Sequence, residues 1–96
     1  MSRWREIMTK AEEAKSIMIK NPEEGKIKFE SLLAEYPTDG MVYFKRGEAY
    51  EYHDELQKAK SDYQQAYKLF PMAEWKNKAL EGISRVQKTG TSPILG

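Results

Sequence analysis

Residues 43–71, YFKRGEAYEYHDELQKAKSDYQQAYKLFP, decide how this chain folds. Two helical patterns lie end to end in them. In the first, Tyr43, Gly47 and Tyr50 share one face, with Met41, Phe44, Glu48 and Glu51 beside them, which predicts a helix over 40–52. In the second, Leu56, Ala59, Tyr63, Ala66 and Phe70 keep the same spacing, which predicts a helix over 55–69 that Pro71 closes. His53 and Asp54 form the link: Asp54 is a candidate cap for the second helix, and His53 reads as a solvated loop residue.

Working outward, Trp4, Ile7, Ala11, Ala14 and Met18 recur at helical steps and predict a helix over 3–20. It stops at Asn21-Pro22, where Asn can cap the next helix and Pro can occupy its first turn. Glu23 and Glu24 then suit the positive end of that helix, expected to run to Glu35 and to bury Ile27 or Gly25 with Phe29, Leu32, Leu33 and Tyr36. Tyr36 to Gly40 is a turn by composition, and Thr38 or Asp39 can cap the helix over 40–52. Downstream, Trp75, Ala79, Ile83 and Val86 predict a helix over 73–88, leaving 89–96 as a flexible tail. The short links imply antiparallel neighbours and one all-α domain over 1–88.

Composition narrows the function classes. The 96 residues hold 16 basic and 15 acidic side chains, a net charge of +1, which leaves no electrostatic footprint for nucleic acid. The absence of cysteine excludes disulfides, thiolate nucleophiles and Cys-based zinc sites. No apolar run approaches the roughly 18 residues of a membrane span, and the first residues lack the apolar core of a secretory signal; a cytoplasmic address is expected.

Setting residue 25 against residue 59 exposes a repeat. Gly25 meets Ala59, Phe29 meets Tyr63, Leu32 meets Ala66, Leu33 meets Tyr67, Tyr36 meets Phe70 and Pro37 meets Pro71. A period of about 34 with a helix–turn–helix unit resembles the tetratricopeptide repeat. The family's W-x2-L-G-x2-Y is similar to Tyr43-x2-Arg46-Gly47-x2-Tyr50, its A-x3-F to Ala59-x3-Tyr63, and Ala66 and Pro71 fall at its later alanine and closing proline. The resemblance implies antiparallel hairpins stacked as a short right-handed superhelix of about five helices: repeat 1 over 6–37, repeat 2 over 40–71, and a capping helix over 73–88. Gly47 and Ala59 are expected to face each other across their hairpin. Arg46 stands where the family has leucine, so its stem must snorkel or the stacking weakens there.

In this family the first helix of each unit lines a concave groove for a partner's peptide or helix. Carried onto this sequence, the groove takes Met8, Lys15 and Met18 from the first helix and Met41, Phe44, Glu48, Glu51 and Tyr52 from the third. Trp75 and Lys78 come from the fifth. Met41 and Phe44 can equally pack under neighbouring helices. Phe44 and Glu48 occupy positions that other members use to grip a terminal carboxylate, so that clamp is not expected. The implied role is a non-catalytic protein-interaction module. No phosphate loop or metal-ligand motif occurs, and the adjacent carboxylate pairs diverge around their helices, so catalytic, cofactor and metal sites are expected to be absent. A homodimerisation module is the main alternative; a nucleic-acid accessory role is weaker, because most aromatics are needed for the core.

Overall fold

The computed structural model describes residues 2–90, which form five helices: α1 (Ser2–Lys20), α2 (Pro22–Glu35), α3 (Gly40–Tyr52), α4 (Leu56–Leu69) and α5 (Ala73–Gly90). The all-α reading holds. Residues 91–96, where most of the expected tail falls, lie outside the described residues.

Local chemistry sets the boundaries. The Asn21 side chain accepts from the Glu24 backbone N–H at 3.3 Å, and Pro22 opens α2 where no intrahelical donor is needed. Asp39 caps α3 by accepting from Met41 N–H at 2.9 Å. Asp54 departs from its expected role. It takes a left-handed φ of 64° in the α3–α4 turn, a conformation Asp tolerates, and Glu55 precedes α4 without a side-chain cap. His53 is not a solvated loop residue either: Nε2 donates to the Met18 carbonyl at 2.9 Å, tying this turn to the end of α1.

Hairpins then stack. α1 packs against α2 and α3, α3 against α4, and α4 against α5. α5 packs chiefly on α4 and touches α3 more lightly, so the α1–α3–α5 layer is joined at α3–α5 mainly by side chains, Phe44 with Trp75 and Glu51 with Arg85. The core runs from Ile7, Ala11, Ala14 and Met18 through Phe29, Met41, Val42 and Phe44 to Tyr63, Ala66, Ala79 and Val86. Gly25, not Ile27, faces that core: a Cβ there would lie 2.2 Å from the Met18 Cα, so α2 crosses α1 only where a side chain is missing.

Around Tyr63 the packing differs from the expected Gly47–Ala59 apposition. A Cβ on Gly47 would meet the Tyr63 ring at 3.0 Å and Asp62 Cβ at 3.3 Å, and one on Gly82 would meet the opposite ring edge at 2.7 Å. Small residues here make room for a ring rather than for a helix backbone.

Arg46 neither snorkels freely nor loosens the stack. Its Nε and Nη2 donate to the two carboxylate oxygens of Asp62 at 2.8 and 2.9 Å, and its guanidinium lies 5.8 and 5.9 Å from the Tyr43 and Tyr50 ring centres. Asp62 is 4% exposed. Burial pushes its carboxyl above the ordinary range against the pull of Arg46, while the Asp62 hydrogen bonds raise the Arg46 pKa.

Such a pair matters most when broken. Asp62→Ala strands a partly buried guanidinium and is expected to cost about 2–3 kcal/mol, below the ~3–5 of a fully buried pair because Arg46 keeps some solvent. Arg46→Leu combined with Asp62→Leu is expected to recover at least half of that. Urea denaturation of the single and double variants measures both; equal losses would mean the pair is not what holds the two residues.

Candidate functional site

The α1–α3–α5 layer curls. Neighbouring helices stand about 10 Å apart, so α1 and α5, on either side of α3, would be well separated in a flat layer. Instead Trp4 of α1 and Trp75 of α5 meet edge to face, with ring centres 6.0 Å apart. Trp75 also packs on Phe44 (5.8 Å) and Phe70 (5.6 Å), and the Lys78 ammonium lies 5.6 Å from its ring centre.

Away from that aromatic end the face is charged and largely self-paired. Lys45 Nζ lies 2.8 Å from a Glu12 oxygen and 3.4 Å from Glu48, and Lys15 donates to the same Glu48 oxygen at 3.0 Å. Burial opposes the Lys45 charge, yet the two carboxylates outweigh it and raise its pKa, and the Lys45 ammonium lowers that of Glu12. Glu51 accepts from Arg85 Nε and Nη2 at 2.9 and 3.0 Å and from the Tyr63 hydroxyl at 2.7 Å. Arg85, then burial and Tyr63, act on its carboxyl, and the hydrogen bonds win, so its pKa falls. Among the described residues, Lys78 and Glu81 join no ion pair.

Two concavities mark the face. One of about 740 Å³ runs beside α1, lined by Met8, Thr9, Glu12, Glu13, Ser16, Ile17 and Lys45. Another, about 280 Å³, lies between α3 and α5, with Phe44 and Trp75 at its aromatic end and Lys45, Glu48, Lys78, Glu81 and Arg85 around it.

The expected groove residues divide accordingly. Met8, Lys15, Glu48 and Glu51 are half-buried on or beside this face, Trp75 is half-buried in the aromatic cluster, and Lys78 is exposed. Tyr52, 66% exposed, projects at the end of α3 against His53. Met18, Met41 and Phe44 are corrections: at 1, 0 and 5% exposure they belong to the core, Met18 where α1 meets Gly25 of α2, and Met41 and Phe44 because α3 is flanked by α1, α4 and α5. Glu48 and Glu51 are engaged within the protein by Lys15, Lys45 and Arg85. Glu12, Lys45, Glu81 and Arg85 escaped the sequence reading. Their signal was available: Glu12 and Lys45, like Glu51 and Arg85, are opposite charges about one repeat apart.

Residues 40–73, spanning α3, α4 and their connection to α5, match the family model of the tetratricopeptide repeat. The matched unit and the five-helix architecture together support a tetratricopeptide-type repeat fold. No curated protein and no solved structure matches it. Tetratricopeptide repeats in general mediate protein–protein interaction and are non-catalytic. Among the described residues no helix is long and apolar enough to cross a membrane.

The Glu51 cluster fixes a pH dependence. Its folded pKa lies below the ordinary carboxyl value, so it contributes stability that is fully present above about pH 4.5 and lost as pH falls through the folded value. Glu51→Gln is therefore expected to melt below wild type at pH 7, with the gap closing as pH falls below about 4.5. Melting curves across that range measure it; a gap that stays constant would show that Glu51 carries no pH-dependent stability.

Proposed function

We propose that the α1–α3–α5 face binds a peptide or helix of a partner protein, making this repeat protein a non-catalytic adaptor. The observation that carries the reading is the concave α3–α5 cleft, where fixed aromatic rings adjoin two charges, Lys78 and Glu81, that no ion pair engages among the described residues. Rings supply contact area at low entropic cost, and open charges set orientation and partner choice. Glu12, Lys15, Lys45 and Glu48 neutralise one another and hold α1 against α3 instead.

Peptides selected on the immobilised protein from a random display library test this. Lys78→Glu and Glu81→Lys, both on exposed positions, are expected to weaken the selected peptides by at least about tenfold, about 1.4 kcal/mol, with helicity and Tm unchanged. Affinity indifferent to both substitutions would remove the cleft as the binding site.

A second reading, self-association, is favoured by a separate edge. Met72, just before α5, and Lys76 and Leu80 within it stand four residues apart, Met72 and Leu80 are exposed, and Lys76 Nζ lies 4.5 Å from the centre of the exposed Tyr67 ring. If this edge dimerises, light scattering across a concentration series will show the mass rising in wild type and not in Leu80→Glu. A monomer mass at every concentration rejects it.

A further inference from the structure

The Trp75 ring has a fixed side and a replaceable one. Phe44 and Phe70 support it at 5.8 and 5.6 Å, and both are core residues at the junction of α3, α4 and α5. Trp4, which packs on Trp75 from α1, is held differently. It sits in the first turn of its helix, where backbone N–H groups have no intrahelical acceptor, among exposed Arg3, Arg5 and Glu6. Among the described residues α1 and α5 do not pack along their lengths, and their Trp4 and Trp75 rings touch. First turns open at little cost.

The seat itself states what fits it. An indole already rests there at 6.0 Å and 61°, within the separations and tilts that aromatic pairs prefer, and the seat adjoins the α3–α5 cleft that also carries Lys78. We propose that the Trp75 ring, backed by Phe44 and Phe70, is an anchor seat for an aromatic side chain of the partner, with Trp4 its resident occupant in the free protein. The partner segment carries Phe, Tyr or Trp; its ring displaces Trp4, and its backbone follows the cleft past Lys78 and Glu81. The inference rests on the groove reading above and names the chemistry of its ligand. It also makes the first turn of α1 an autoinhibitory contact: wild type must release Trp4 before the seat can fill.

Trp4→Ala vacates the seat and leaves Trp75 as the single indole of a chain that has two tryptophans. N-acetyl-L-tryptophanamide is titrated into this variant while the Trp75 indole N–H resonance is followed. A saturable shift is expected, half-complete near about 1 mM, the range for a ligand of this size. N-acetyl-L-leucinamide is expected to need at least about tenfold more, and wild type to need more tryptophanamide than the variant. No saturable shift in a helical Trp4→Ala, or equal response to the leucine probe, overturns the proposal. Should Trp4→Ala lose its helicity, Trp4→Leu is titrated in its place with the same outcomes; loss of fold in both makes Trp4 an indispensable core residue and also overturns it. Because the probe reads the seat alone, its failure is distinct from a failure of the cleft to select peptides.

Discussion

The Tyr63 ring is the joint on which the other helices depend. It comes from α4, is fully buried, and fits between α3 and α5 because Gly47 on one side and Gly82 on the other lack a Cβ. Its hydroxyl donates to Glu51 of α3, and Glu51 in turn holds Arg85 of α5. One residue therefore fixes the spacing of three helices sterically and their rotation through a charge-assisted hydrogen bond. Burial and the neighbouring Glu51 carboxylate both drive the Tyr63 pKa far upward, so the hydroxyl remains a donor at any ordinary pH. A phenylalanine would keep the packing and lose the register.

The same joint explains why polar groups are tolerated so near the core. Asp62, next to Tyr63 in sequence, faces the other flank of α3 and is satisfied by Arg46, whose guanidinium the Tyr43 and Tyr50 rings flank in turn. Among the described residues no buried side-chain nitrogen or oxygen lacks a partner. Ion pairs of this kind add little net stability compared with apolar residues, but they penalise any other rotation of α3 against α4. In a repeat stack each unit meets only its neighbours, and orientation-specific contacts such as these fix the geometry within a unit.

Much of this was legible in the sequence because it is local. The Asn21-Pro22 cap, the Asp39 cap and the buried stripe of α1 follow from residues within one or two turns of each other. The choice between Ile27 and Gly25 stayed open, and the Gly25–Met18 close approach settles it. What failed was the assignment of faces on α3. A helix packed against α1, α4 and α5 buries residues around most of its circumference, so its periodicity cannot say which apolar side chains are free. Met41 and Phe44 were ambiguous for that reason. Arg46 with Asp62 and Tyr63 with Glu51 were missed for another: each pair joins two helices, and single-helix patterns do not reach across a hairpin. The cross-repeat pairs were readable in principle, since equivalent positions of stacked units are neighbours and opposite charges one period apart meet there.

These constraints also bear on how binding couples to folding. In a long array each unit rests on its neighbours, and a ligand on one surface changes the stability of the whole by mass action alone. Here the outer helices of the curled layer, α1 and α5, meet through two indoles over a cleft whose wall includes Glu48 and Arg85, which hold α3 to α1 and to α5. A segment lying in that cleft cannot change the curl without working against those ion pairs. On the proposed reading, such a segment gains affinity only by contacts that leave them in place: the Trp75 ring, Lys78 and Glu81. On that reading, specificity is thereby confined to the few groups on this face that the fold does not already use, which separates the residues that can vary with the partner from those that cannot.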